Sequence, residues 1–191
     1  MVKIVKDKDP IWDTDNFDVI LLGTSAYNLL GGGFASKLKF KYPIIEERNS
    51  NTKYGDASKI GTRLTVDGNP IISLMYICGY PRANKETVDY DALNLCLTTA
   101  NSEFKGKKVL MTIVGSSQFD GSGDKEKCLN LISECLTDLD VTVYDYKQKK
   151  RYEEIEEQRK YLRSLQYSDK EKYEKLHDVF DVYLKKLYLN D

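Results

Sequence analysis

The chain has 191 residues, 41% of them hydrophobic, with 29 Lys plus Arg against 30 Asp plus Glu. That length supports one good hydrophobic core with an extension and is short for two full domains. The even charge balance argues against a broad nucleic-acid-binding face, and no apolar run approaches the ~20 residues of a membrane-spanning helix.

In the N-terminal stretch, residues 1–8, charges recur every second or third position and no apolar signal-peptide core is present, so a cytosolic protein is expected. Residues 2–5 alternate apolar and polar side chains, as an edge strand does. Residues 18–22 form a short continuous apolar run, the pattern of a buried central strand, which Gly23 is expected to end. Beyond three consecutive glycines, the spacing of Phe34, Leu38 and Tyr42 predicts a helix stopped by Pro43. Residues 62–66 and 71–77 read as a β-hairpin, with Asp67-Gly68 as its turn. Leu93, Leu97 and Ala100 predict a helix over residues 90–100, and residues 108–114 a second buried strand. Cys128, Leu129, Ile132, Cys135 and Leu136 form the apolar face of a helix over residues 125–136, and the alternation in residues 141–146 predicts a last strand. Strands alternating with helices, with one antiparallel hairpin among them, predict a layered α/β fold with helices on both faces of a mixed sheet.

From Lys147 the character changes. Residues 147–191 contain no glycine or proline and many Glu, Lys and Tyr. Tyr152, Ile155, Arg159 and Leu162 lie at helical spacing, Ser168 and Glu171 have the form of a capping box, and an apolar stripe runs from Tyr173 to Leu187. A C-terminal helical extension is expected, packed on an α/β domain of residues 1–146.

Chemistry is concentrated in two loops. Cys78, Cys96, Cys128 and Cys135 form no CxxC pair and read as reduced, buried thiols. The single histidine, His177, leaves no His-based triad or His-rich metal site, and neither metal nor cofactor is expected. The first loop, residues 23–36, follows a buried strand and opens a helix. Thr24, Ser25, Gly31, Gly32, Gly33 and Phe34 are its candidate ligand-binding residues. Glycines let a phosphate approach backbone N–H groups, and a helix N-terminus adds free donors. The second loop holds Gly115, Ser116, Ser117, Gln118, Phe119, Asp120, Gly121, Ser122 and Gly123 between another buried strand and another helix. Two such loops at strand carboxyl ends can share one crevice and one diphosphate. Asp120 reads either as a residue that meets a sugar or water, or as an Asx-turn residue.

Asp18-Val-Ile-Leu-Leu, the Gly31-Gly-Gly-Phe-Ala helix start, Val109-Leu-Met-Thr-Ile-Val-Gly115, the loop to Gly123 and Val141-Thr-Val-Tyr144 together resemble macro domains over residues 1–146. The stretch of residues 31–43 is similar to the shorter subgroup that includes ADP-ribose-1''-phosphate phosphatases and terminal ADP-ribose protein glycohydrolases. The resemblance implies a three-layer α/β/α sandwich around a mixed sheet, with ADP-ribose in a cleft at the strand ends. By it, the first loop would hold the distal ribose and its phosphate, and the second would wrap the diphosphate. Asp9, or Asp7 in competition with it, would contact the adenine amino group. Three departures stand out: Ser25 replaces a hydrolase asparagine, Ile77 and Cys78 stand where a nucleophilic lysine is expected, and Ser116-Ser117-Gln118 replaces a Gly-Cys-Gly-like run.

The resemblance thus implies binding of ADP-ribose or a derivative, free or carried on an ADP-ribosylated protein, and hydrolysis of it with Asp120 as the catalytic acid or base. Two alternatives remain: a non-catalytic ADP-ribose reader or sequestering protein, and an interaction protein acting through its tail.

Overall fold

In a computed structural model of the chain, residues 2–6, 8–30, 32–82, 85–117, 120–145, 162–164, 168–171 and 173–174 are described. The chain divides into two compact units, Met1–Tyr146 and Lys147–Asp191. In the first, strands β1 (Lys3–Lys6), β2 (Val19–Ser25), β3 (Arg63–Val66), β4 (Ile71–Cys78), β5 (Lys108–Thr112) and β6 (Asp140–Asp145) form one sheet in the order β1-β6-β5-β2-β4-β3. All neighbours are parallel except β3, which runs antiparallel to β4 at one edge. Helices α1 (Gly33–Lys41), α2 (Ile44–Ser50), α3 (Tyr90–Glu103) and α4 (Lys125–Cys135) connect them.

Successive strand side chains point to opposite faces, and this alternation sorts the core into two layers. Val19, Leu21, Met75, Ile77, Val109, Met111, Val141 and Val143 pack with Leu93, Leu97, Cys128 and Ile132 of α3 and α4. Ile20, Leu22, Ile72, Leu74 and Leu110 pack with Phe34 and Leu38 of α1 and Ile45 of α2. The sheet is therefore covered on both faces, and β2, buried along its whole length, is its centre.

Three local expectations are corrected. Gly23 does not end β2, which continues to Ser25, because Gly23 pairs with Met75 inside the sheet. Pro43 stops α1 but also opens the unforeseen helix α2: its φ of −57° suits a helix start, where no N–H is needed. Burying Ile45 completely, at about 1.5–3 kcal/mol, holds so short a helix without a side-chain cap. The β3–β4 hairpin forms, but through a connection of residues 67–70 with a cis Asn69–Pro70 bond, not a two-residue Asp-Gly turn.

In the second unit the described residues 162–164, 168, 170–171 and 173–174 are helical. Ser168, expected to cap a helix, donates its hydroxyl back to the Ser164 carbonyl at 2.9 Å. The rest of the expected helical hairpin lies outside the described residues.

Candidate functional site

Because β2, β4 and β5 are parallel neighbours, their carboxyl ends bring three loops to one edge of the sheet. The first, after β2, leads to α1. Thr24 and Ser25 are fully buried, and their hydroxyls serve the loop itself. Thr24 Oγ1 donates to the Leu29 carbonyl at 3.2 Å, and Ser25 Oγ accepts from the Tyr27 N–H at 3.3 Å. Gly32 precedes the helix with an extended backbone and no side-chain cap. Gly33 opens it at φ +57°, a conformation that favours glycine. The first-turn N–H groups of a helix have no partner within the helix, and among the described residues no side chain caps those of Gly33, Phe34 and Ala35. Phe34 offers only its backbone, since its side chain is buried in the core beside Leu38. Gly31 lies outside the described residues.

The second loop is built differently. Each described N–H from Gly115 to Asp124 already has an acceptor within the protein. Asp120 organises it: one carboxylate oxygen accepts from the Gly115 N–H at 2.9 Å, the other from the Ser117 N–H and hydroxyl, both at 2.8 Å. The Ser117 carbonyl in turn accepts from the N–H groups of Asp120, Gly121 and Ser122. Gln118 and Phe119 lie outside the described residues.

Its glycines are packed against a neighbouring segment. A Cβ on Gly123 would lie 2.4 Å from Val88, one on Gly121 2.6 Å from it, and one on Gly115 3.1 Å. Val88 belongs to the third loop, whose Thr87 and Val88 N–H groups donate to the Gly121 carbonyl at 2.6 and 3.0 Å. The segment after β4 is thus a strap across the second loop.

Asp120 also joins this loop to the central strand. A Cβ on Gly23 would stand 2.9 Å from its carboxylate, so a glycine within buried β2 makes room for it. Burial pushes the Asp120 carboxyl up to about 6, against the pull of its hydrogen bonds. The Cys78 thiol at the end of β4 is pushed up to about 12, by burial first and by the Asp120 charge second. It is a poor nucleophile in this state.

Asp9, expected against an adenine, is already engaged. One oxygen caps the turn at Ile11 (N–H at 3.2 Å) and the other pairs with the buried Lys37 of α1. Asp7 lies outside the described residues.

Two clusters beside the first loop had no signal in the sequence. Tyr27 meets Tyr54 and Tyr80 edge-on, with ring centroids 5.2 and 5.3 Å apart, and both partners are largely exposed. Asn28, at φ +57°, is held by Asn49, Thr52 and Lys59 over the buried Tyr76. These residues come from separate elements, so no local motif announces them.

No protein-family model and no curated protein matches the sequence. Solved structures do. The macrodomain of Thermus aquaticus DarG superposes with a TM-score of 0.55 at 13% identity, over 77% of this chain and 98% of that one. The macrodomain of Mycobacterium tuberculosis DarG gives 0.56 at 16% identity, over 75% and 97%. Thermosipho africanus DarTG in complex with ADP-ribose gives 0.57 at 12% identity, over 78% of this chain and 43% of that one. With its mixed six-stranded sheet between two helical layers, this chain has the macrodomain fold.

Proposed function

We propose that the chain binds ADP-ribose, or a closely related nucleotide, at the carboxyl ends of β2, β4 and β5. The observation that carries this reading is the uncapped start of α1, where Gly32 and Gly33 leave backbone donors open directly after the central strand. Helix N-termini of this kind suit phosphate groups. The shared fold with a protein solved in complex with ADP-ribose supports the choice of nucleotide. An ADP-ribosyl group carried on a protein would offer the same diphosphate. Calorimetry should detect ADP-ribose binding in the micromolar range, roughly −8 kcal/mol, and weaker binding of AMP, which brings one phosphate. Absence of heat and of competition at millimolar ADP-ribose would overturn the reading.

A second reading, hydrolysis of an ADP-ribose derivative, is favoured by one observation: Asp120 has its carboxyl raised to about 6, near the range in which a general acid or base works at neutral pH. In that role one of its oxygens would give up a loop donor and accept instead from a water or a ribose hydroxyl. Incubation with ADP-ribose-1''-phosphate and with ADP-ribosylated protein tests it. Turnover should fall roughly 10²- to 10⁴-fold in Asp120→Ala while ADP-ribose binding persists. Activity untouched by that substitution would remove Asp120 from catalysis.

A further inference from the structure

Lys59 stands out among the charged residues around the first loop. It ends the short 3-10 turn of Ala57–Lys59 and is half-buried. Its ammonium donates to the side-chain oxygen of Asn28 and, at 3.1 Å, to Thr52 Oγ1, and lies 4.7 Å above the Tyr76 ring. Among the described residues it forms no salt bridge, unlike Lys37 and Lys41, which pair with Asp9 and Asp15. A cation half-withdrawn from water onto neutral acceptors is a costly way to satisfy an amide oxygen; a neutral donor would serve the fold as well.

What the ammonium grips is the hinge of the first loop. Asn28 uses all of its polar groups there. Its N–H donates to the Ser25 carbonyl at 3.1 Å and its carbonyl accepts from Asn49 at 2.9 Å. Its side-chain amide donates to the Thr52 carbonyl at 3.1 Å, and its side-chain oxygen accepts from Thr52 at 3.0 Å and from Lys59. Asn49 is closed from beneath by the Tyr76 hydroxyl at 2.8 Å, and both residues are buried. Four residues separate Asn28 from Gly33 and the open donors of α1.

We propose that Lys59 is a positioning residue of the ligand site: acting through Asn28, it holds the β2–α1 loop in the shape that presents the α1 donors, and it supplies the loop with a positive charge for a diphosphate, one that no salt bridge engages among the described residues. This rests on the nucleotide-binding reading above and adds a residue to it. Burial lowers the Lys59 pKa from its ordinary value of 10.5, opposed by Asp56. Tyr76 beneath it has its hydroxyl pushed up by burial, and Asp56 also pairs with Lys53 at 3.6 Å. A lowered lysine pKa means the charge is present at neutral pH and lost as pH rises, earlier than for a free lysine.

The test is calorimetric titration of the full chain with ADP-ribose across pH, for the wild type, Lys59→Met, Lys59→Gln and Lys59→Arg. At neutral pH the Met and Gln variants should bind at least tenfold more weakly and Lys59→Arg within about threefold of wild type. Wild-type affinity should begin to fall below pH 10.5, and Lys59→Arg should abolish that fall because a guanidinium does not titrate there. If Lys59→Met does not fold, the wild-type and Lys59→Arg pH profiles still decide. Wild-type binding with an unchanged affinity in Lys59→Met, or an alkaline fall that persists in Lys59→Arg, overturns this proposal alone. A wild type that binds no ADP-ribose at any pH overturns it together with the nucleotide-binding reading.

Discussion

Gly121 and Gly123 sit two residues apart in one loop, yet they should respond differently to the same substitution. The Cβ of Gly123→Ala meets a side-chain methyl of Val88 at 2.4 Å, whereas that of Gly121→Ala meets Val88 backbone atoms at 2.8 Å, at a φ of +135°. Both should destabilise, by roughly 1–3 kcal/mol for overpacking and more where backbone strain adds to it. Adding Val88→Ala should recover part of the loss in Gly123→Ala and none in Gly121→Ala, as urea unfolding of the four variants would reveal. No recovery in Gly123→Ala would mean that the Val88 side chain is not the obstacle there. Asp120 offers a second measurement at this scale. Its carboxyl is raised from 3.8 to about 6 in the folded chain. Between those values the folded state holds a proton that the unfolded state has released. The stabilisation from this group is therefore fully present below 3.8 and is lost as pH rises through about 6, an effect of about 3 kcal/mol. The stability of the wild type relative to Asp120→Asn should decline over that window; a flat difference would mean that the carboxylate is not buried as described.

At the scale of elements, the two loops have separate tasks despite similar composition. The second is closed by its own carboxylate, its own carbonyls and the Val88 strap, which makes it a rigid wall. The first ends in a helix start that nothing caps among the described residues, and there the donors remain. Gly32 and Gly33 separate these effects. Gly32 is extended, at φ −148°, so Gly32→Val adds no backbone strain while its branched side chain crowds the ligand. The melting temperature should stay near wild type and ADP-ribose affinity should fall at least tenfold. Gly33 sits at φ +57°, so Gly33→Ala should lower stability by roughly 1–2 kcal/mol as well as binding. Undiminished affinity in Gly32→Val would reduce the glycine run to a turn.

At the scale of the whole molecule, both core layers are built from residues of the first unit, and so are both candidate loops. A fragment of residues 1–146 should therefore fold cooperatively and bind ADP-ribose within about threefold of the full chain, measured by thermal unfolding and calorimetry. A fragment that folds but no longer binds would show that residues 147–191 complete the site, and the tail would then belong to the binding function.

The order of the strands and of helices α1, α3 and α4, the mixed sheet and the two glycine-rich loops were legible in the sequence because each depends on local periodicity or on a short run. Val19 to Leu22 are apolar without a break because both faces of β2 are covered, and Cys128 and Ile132 recur at helical spacing because one face of α4 is buried. The sequence also marked residues 23–36 and 115–123 as unusual, since glycine clusters seldom serve a helix or a strand. Which loop keeps its donors free, and which spends them on itself, was decided only by the tertiary structure. Whether Gly123 clears room for a ligand or for Val88 depends on a strap 35 positions earlier, and whether Asp120 meets water or Gly23 depends on a strand almost a hundred positions away. Lys59 and Asn28, 31 positions apart, meet because the segment before β3 folds back over the first loop. Such pairings leave no periodicity in the chain, because contacts between distant segments are set by how the layers pack and not by the spacing of residues along either segment.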